Sequence, residues 1–504
     1  MIVSDALRRD MASKGIDIER TVSILKDYND GFYDSVRPVK AAGVPALDNK
    51  TVISLDKKLA YAQDAEKTRE SLSGLGLPLP TSARERDGKI VFSSEALAEL
   101  GERLYTRTAY GILNGGSASS YADRKKNQAF GADVFAALEK SFDEMAPLCE
   151  GRPKGLTPAY INPDGTPGAS FLLLKLRARL LLARSYRDKY GKTERPILPL
   201  LQMSSVGTDM ELSRAYREYE ENHLLHGLAA SIGETACDFR TGVQSMIGAY
   251  THSEAGRPKR IFDRAFGKPD SSLPLPGGHG QCFRVLAPAL RDLRDSGVRY
   301  AYLGNVDNLG YIPDPVEIGL LALSGKPAAF DFSVRTAVDV KGGILIETDE
   351  GKRMVADIGP AIPFAELRRL EDEGATVLFN CATGLFDLDW LVPHLDEISR
   401  NLPVRFSDQD KDAGRYSQAE QVTWEVTSLL PAFLAFAVNK YDRFIAAKML
   451  AENLLTSGVG SDDPRIPAEL AATSSLLHAG LERKLAGPYG MALWDDRWIP
   501  RDAG

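Results

Sequence analysis

The sequence predicts an α/β protein: a mixed, mainly parallel sheet flanked by helices, with a helical N-terminal region and a small helical C-terminal domain. Three observations carry this. Short apolar runs recur from about Tyr105 to Asp389, several of them followed at once by Gly or Asn. Stretches of helical length separate several of them, the alternation that builds a parallel sheet. The segments on either side read as helix formers instead. The expected divisions are 1–104 for the helical region, 105–400 for the catalytic domain and 401–504 for the small C-terminal domain.

In chain order, Leu55 to Leu75 is rich in Ala, Lys, Glu and Leu and is expected to be helical until Pro78 and Pro80. Ser93 or Ser94 caps the next helix. The predicted strands are Ala109–Leu113, Ile197–Met203, Tyr300–Leu303, Ala328–Phe332, Ile344–Ile346 and Thr376–Phe379. Helices are expected over Ser170–Tyr190, Met210–Ser231 and Phe283–Ser296. Ser407 to Gln421 is a polar stretch, followed by helical segments at Trp424–Val438, Arg443–Leu455 and Pro467–Lys484. Open α/β sheets bind ligands beyond the carboxyl ends of their strands, so the residues after each apolar run matter most.

Composition narrows the partners. Sixty-two basic residues against sixty-nine acidic give a net charge of −7, which argues against nucleic acid or an anionic membrane as partner. Cys149, Cys237, Cys282 and Cys381 form no C-x-x-C pair, so neither zinc nor a disulfide framework is indicated and a reducing cytoplasm is expected. The N-terminus lacks an apolar signal core. Leu429 to Val438 is far short of the ~20 residues that span a bilayer.

Four segments carry chemistry. Leu113-Asn114-Gly115-Gly116, followed by Ser117 to Ser120 and Arg124-Lys125-Lys126, is either an anion nest with cations beyond it or a tight turn beside a solvated basic face. It is not a P-loop, whose G-x-x-x-x-G-K-S/T spacing is absent. Asn305-Val306-Asp307-Asn308 follows an apolar run. Asp307 is the ligand type for Mg²⁺ held jointly with phosphates, and an Asx turn would use the same residues. Pro276-Gly277-Gly278-His279-Gly280 suits a loop over a planar or phosphorylated ligand. Asp339-Val340-Lys341-Gly342-Gly343 reads equally as a β-turn with a surface lysine. His223 and His226, at i, i+3 on an expected helix, have no third ligand and read as packing or surface. His252, His394 and His478 have no chemical context.

In order and spacing, these segments resemble the eukaryotic-type UDP-sugar pyrophosphorylase family, closest to its UTP–glucose-1-phosphate uridylyltransferases. Leu113 to Gly116 matches L-N-G-G. Pro199 to Ser205 with Thr208-Asp209 resembles P-L-V-L-M-N-S and T-D. Pro276 to Gly280 resembles P-P-G-H-G, Asn305 to Gly310 N-I/V-D-N-L-G, and Asp339 to Ile346 D-V-K-G-G-T-L-I. Phe379-Asn380 resembles the start of F-N-T-N-N, and Arg443 to Lys448 resembles R-F-L-P-V-K. The likeness covers about residues 105–450. There are departures. The family's loop continues G-T-S-M-G to G-P-K, where this chain has Ala118 to Ala122 and then Arg124-Lys125-Lys126. Ala382 and Thr383 replace two asparagines. Only a short helical tail follows Lys448, in place of the family's C-terminal β-helix.

The resemblance implies a Rossmann-like (GT-A-like) nucleotidyltransferase fold and one reaction. UTP and a sugar 1-phosphate, with glucose 1-phosphate expected, give a UDP-sugar and pyrophosphate with Mg²⁺. Its implied roles are Asp307 for the metal; Lys126 or Lys125, with Lys448, for the phosphates; and Lys341 for the sugar phosphate. Asn114, Gly115 and Gly116 hold the nucleotide, Gly278 and His279 border base and ribose, and Asn305, Gly343 and Asn380 complete the substrate site. A UDP-N-acetylhexosamine pyrophosphorylase and a catalytically weak nucleotide-sugar-binding relative are the alternatives. Lys440 reads as an ordinary solvated lysine.

Overall fold

The computed structural model describes residues 3–35, 39–56, 59–336, 339 and 342–501. Its central sheet has ten strands among these residues. They are β1 (Val52–Ser54), β2 (Thr108–Leu113), β3 (Leu200–Ser205), β4 (Phe239–Gln244), β5 (Tyr300–Asn305), β6 (Ala328–Val334), β7 (Gly343–Glu347), β8 (Arg353–Asp357), β9 (Leu378–Asp387) and β10 (Leu434–Val438). The order is β1-β10-β6-β9-β5-β2-β3-β4, with the β7–β8 hairpin attached to β9. Along this path β9 runs antiparallel to both neighbours and every other pair is parallel. The mixed, mainly parallel sheet expected from the sequence is present.

The central strands β2, β3, β5 and β10 bury both faces, which is why their apolar runs are nearly continuous. In β2, Tyr110 and Ile112 join one apolar cluster while Ala109 and Leu113 join another. β5 divides the same way, Tyr300 and Tyr302 against Ala301 and Leu303. Helices Ser94–Arg103, Phe171–Tyr190 and Pro315–Ser324 cover the first face. Ala287–Asp295 and Leu388–Asn401 cover the second. Helix Phe171–Tyr190 starts where Ser170 Oγ accepts the Leu173 N–H at 3.2 Å. Helices Ser94–Arg103 and Pro315–Ser324 cross so closely that a Cβ on Gly101 would collide with the Pro315 carbonyl, and one on Gly319 with that of Leu97.

Several local expectations are corrected. Only Ala65–Leu75 of the Leu55–Leu75 stretch is helical. Ala60–Asp64 is a strand paired to Lys89–Ser93, and Asp64 caps the helix. Ser93 is the cap of the next helix, as expected. Met210–Ser231 is two helices, Asp209–Glu220 and His226–Ile232, so His223 and His226 do not share one. The polar stretch at 407–421 lies in a hairpin of Val404–Lys411 and Gly414–Gln421. Trp424–Val438 is not a helix. A 3₁₀ segment, Thr423–Ser428, precedes Pro431, and then β10 runs fully buried between β1 and β6. The sheet thus takes β1 from before residue 104 and β10 from beyond 400, and runs across both expected boundaries. No helix of the described residues is long and apolar enough to cross a membrane.

Candidate active site

The carboxyl ends of β2 and β5 lie side by side, with Asn305 in register with Leu113. The antiparallel β9 begins at this same edge and sets Asn380 there; the β7–β8 hairpin adds Gly343 opposite Asp357. A cavity of about 210 Å³ opens among them, lined by His279, Asn305, Asp307, Gly343, Asn380 and Lys448. Six residues singled out from five separate segments of the sequence therefore share one wall.

The turn that carries Asp307 is held from below. Lys175, fully buried on helix Phe171–Tyr190, donates to the Tyr311 carbonyl at 2.5 Å and to that of Asn308. Asn308 Oδ1 accepts the Ile445 N–H at 3.0 Å, its Nδ2 donates to the Arg443 carbonyl at 3.0 Å, and Leu309 N–H reaches the Ile445 carbonyl at 2.9 Å. The segment Arg443–Lys448 is thereby stitched to the Asp307 turn, which places exposed Lys448 at the cavity. Glu452 accepts the Lys448 N–H at 2.6 Å. Arg443 itself is buried against Asp314, Glu317 and Asp331. Burial pushes Glu317 and Asp331 up, although Arg443 pulls both down.

A second lysine stands nearby that the sequence reading missed. Lys154 is buried; its N–H bonds the Gly116 carbonyl at 3.0 Å and its Nζ the Ala447 carbonyl at 2.9 Å. The ammonium sits 3.0 Å from the centroid of the Tyr121 ring. Burial brings its pKa down to about 8, opposed chiefly by the Asp307 carboxylate. Lys125 and Lys126 are exposed on the short helix Arg124–Gln128, and Lys126 Nζ donates to Ser120 Oγ at 2.6 Å; neither these two nor Lys154 lines the cavity. The lysine that the fold brings to the Gly loop is Lys154. Lys154 follows Pro153, and the helices Arg124–Gln128 and Ala132–Met145 lie between this pair and the glycines.

The glycine loops meet across Gln244. A Cβ on Gly115 would stand 3.2 Å from Gln244 Oε1, while Gln244 Nε2 donates to the Gly278 carbonyl at 2.8 Å. Gly116 is exposed with open space over its Cα. Asn114 is wholly buried, its amide toward Gln202 and its N–H on the Met203 carbonyl, so it supports the loop from beneath. Gly278, at φ +84, packs so tightly on Gln421 that a side chain would collide. His279 Nδ1 accepts the Thr423 N–H at 3.2 Å, which assigns the proton to Nε2. Burial and then the Lys448 charge lower His279 to about 4, so the ring is neutral at pH 7. Asn380 Oδ1 accepts the Ala382 N–H at 3.1 Å.

Two motif lysines need separate mention. Lys341 lies outside the described residues. Lys440 is not a solvated lysine: it is buried and paired with Asp339, and it donates to Thr336 Oγ1 at 2.8 Å. Among the described residues no three His, Cys, Asp or Glu side chains gather as a metal cage. Asp307 lines the cavity together with Asp357 and Glu425, which are tied to Arg405; a carboxylate there that no cation engages among the described residues fits a metal that shares its coordination with substrate phosphates.

The family model for UTP–glucose-1-phosphate uridylyltransferase matches residues 257–459. A probable UTP–glucose-1-phosphate uridylyltransferase of Schizosaccharomyces pombe is 27% identical over 199 residues, 38% of this chain and 34% of that protein. A UTP–glucose-1-phosphate uridylyltransferase of Musa acuminata is 23% identical over 251 residues, 48% of each. The matched stretches thus span a third to a half of these relatives. A UDP-N-acetylglucosamine pyrophosphorylase of Trypanosoma brucei, solved with an inhibitor, has TM-score 0.59 at 16% identity over 96% of this chain and 91% of that one. A UDP-glucose phosphorylase of the same organism has TM-score 0.56 at 16% identity over 98% and 80%. The family resemblance noted in the sequence is matched, and the fold is the Rossmann-like nucleotidyltransferase architecture.

Proposed function

We propose, on the premise of that match, that this chain is a UDP-sugar pyrophosphorylase. It transfers the uridylyl group of UTP to a sugar 1-phosphate, with glucose 1-phosphate the first candidate. The observation that carries this is the single cavity that gathers His279, Asn305, Asp307, Gly343, Asn380 and Lys448. An oxygen of the sugar phosphate attacks the α-phosphorus of UTP in line. The bond from the α-phosphorus to the bridging oxygen breaks, and its electron pair leaves with pyrophosphate. Such a step asks the protein for positioning and charge stabilisation.

Lys154 and Lys448 flank the Asp307 turn and meet the charge that builds on the phosphates. Gly115 and Gly116 border the nucleotide phosphates. Gly278 and His279 border base and ribose, with His279 Nε2–H as a neutral donor. Asn380 and Gly343 face the sugar. Asp307 would hold Mg²⁺, which supplies charge neutralisation across the phosphates when bound.

A UDP-N-acetylhexosamine pyrophosphorylase is the second reading, supported by Ala382 and Thr383 where the family carries asparagines. Pyrophosphate release tests both, with UTP, ATP or GTP against a panel of sugar 1-phosphates. Mg²⁺-dependent release with UTP in preference to ATP and GTP is expected. Release with none of the sugars would overturn the enzyme reading and favour a nucleotide-sugar-binding relative.

A further inference from the structure

One wall of the cavity is charged. Arg405, on the strand Val404–Lys411, donates from Nε to Glu425 Oε1 at 2.9 Å and from Nη1 to Asp357. Glu425 follows Trp424 in the 3₁₀ segment and is 12% exposed, and Asp357 ends β8. The three form a bridge between the hairpin, the 3₁₀ segment and β8. One guanidinium between two carboxylates leaves a net charge of −1.

This bridge is also a partition. A second cavity, of about 460 Å³, lies beside the first, and Val355, Asp357, Arg405 and Glu425 line both. On the active-site side the bridge faces Asn380, Ala382 and Trp424. Glu425 Oε2 is buried in this bridge with no hydrogen-bond partner among the described residues. A buried carboxylate oxygen left unpaired in this way calls for a donor. Asp357 binds Arg405 through Oδ2, and its Oδ1 lies toward Gly343 and Asn380.

We propose that the Asp357–Arg405–Glu425 bridge determines which sugar the site accepts, with Arg405 as the positioning residue. This rests on the reading of the cavity as a sugar 1-phosphate site. Arg405 fixes Glu425 and Asp357 so that their spare oxygens accept hydrogen bonds from sugar hydroxyls, and its side chain shuts the site from the larger cavity. The substrate class that fits is a neutral, unacylated hexose 1-phosphate. A uronic acid would bring a carboxylate against a wall of net negative charge. An N-acetyl substituent needs space that lies behind Arg405.

Steady-state pyrophosphate release by the full chain tests this, with glucose 1-phosphate, N-acetylglucosamine 1-phosphate and glucuronic acid 1-phosphate. Arg405→Ala is expected to raise KM for glucose 1-phosphate by about tenfold to a hundredfold, the cost of charge-assisted hydrogen bonds. KM for UTP should rise less than KM for the sugar, since the bridge touches the Gly278–His279 loop only through Gln421 and Thr423. The N-acetylglucosamine to glucose ratio of kcat/KM should rise by about tenfold or more as the two cavities merge. Glu425→Gln keeps the shape of the wall and should reproduce the rise in sugar KM if Arg405→Ala does not fold. Unchanged sugar KM and an unchanged ratio would overturn the proposal, as would an equal rise in KM for UTP. An inactive wild type would remove the pyrophosphorylase reading and this inference together. An active wild type with silent variants would remove this inference alone.

Discussion

Replacing Lys154 by methionine should separate function from stability. The fall of the ammonium from 10.5 to about 8 corresponds to about 3 kcal/mol held against the folded state at pH 7. Methionine removes that burden and keeps an unbranched chain beneath Tyr121. It also loses the bond from Nζ to the Ala447 carbonyl, worth about 1–3 kcal/mol once that carbonyl is left alone. The two nearly offset, so Lys154→Met should be at least as stable as wild type at pH 7. Activity should fall about a hundredfold to a thousandfold in kcat/KM, the cost of one charge-stabilising donor. The sign with pH is fixed. Between pH 8 and 10.5 the unfolded chain still binds the proton that the folded chain has released, so wild-type stability rises with pH there. Any stability advantage of the variant should shrink from pH 7 to pH 10. Urea unfolding at both pH values and pyrophosphate-release kinetics are the assays. A variant that loses stability and activity in parallel would refute the reasoning, as would one that turns over like wild type.

Asp307→Asn should end Mg²⁺-dependent turnover with the fold intact; pyrophosphate release at near wild-type rate would remove the metal assignment. Lys448→Ala should lower kcat/KM by about tenfold to a thousandfold, while Lys140→Ala, exposed on helix Ala132–Met145, should be silent. Equal small effects would make Lys448 a surface lysine. Arg443→Met should cost about 3–5 kcal/mol in chemical denaturation, because Asp314, Glu317 and Asp331 lose their shared cation. Glu317 and Asp331 are already pushed up by burial, so protonation relieves the variant and its deficit should narrow toward acid pH.

The strands β2, β3, β5 and β6 are legible in the sequence because both of their faces are apolar, and at β2 and β5 because Asn marks the end. β10 is misread for the same reason. A run such as Leu434 to Val438, apolar on both sides, has no period to distinguish strand from buried helix. The antiparallel course of β9 depends on its partners and leaves no mark in composition. Within the site, Asp307 and Asn305 could be found because they directly follow a strand. Lys154 could not be found from spacing alone, since two helices separate it from the glycines it bonds. Lys440 reads as solvated in the sequence because its counter-ion, Asp339, lies 101 residues earlier in the chain. Arg405 drew no notice, because a charged residue on a hairpin looks the same whether its partners are water or two carboxylates.

The position of β10 bears on how the chain assembles. Strands β2 to β5 are complete once residue 305 has been made. β6 and β1 must wait for residues 434–438, because β10 lies between them. Until then β6 keeps an open edge, and Asp331 within it has no Arg443. Closing a contact from β1 to β10 across almost four hundred residues is a slow, late event. A chain cut anywhere before residue 438 would therefore leave half a sheet with a sticky apolar border, prone to aggregate. The half of the sheet that carries Gly115 and Asp307 can set early, while the half that carries Asn380 is sealed by the last strand to arrive.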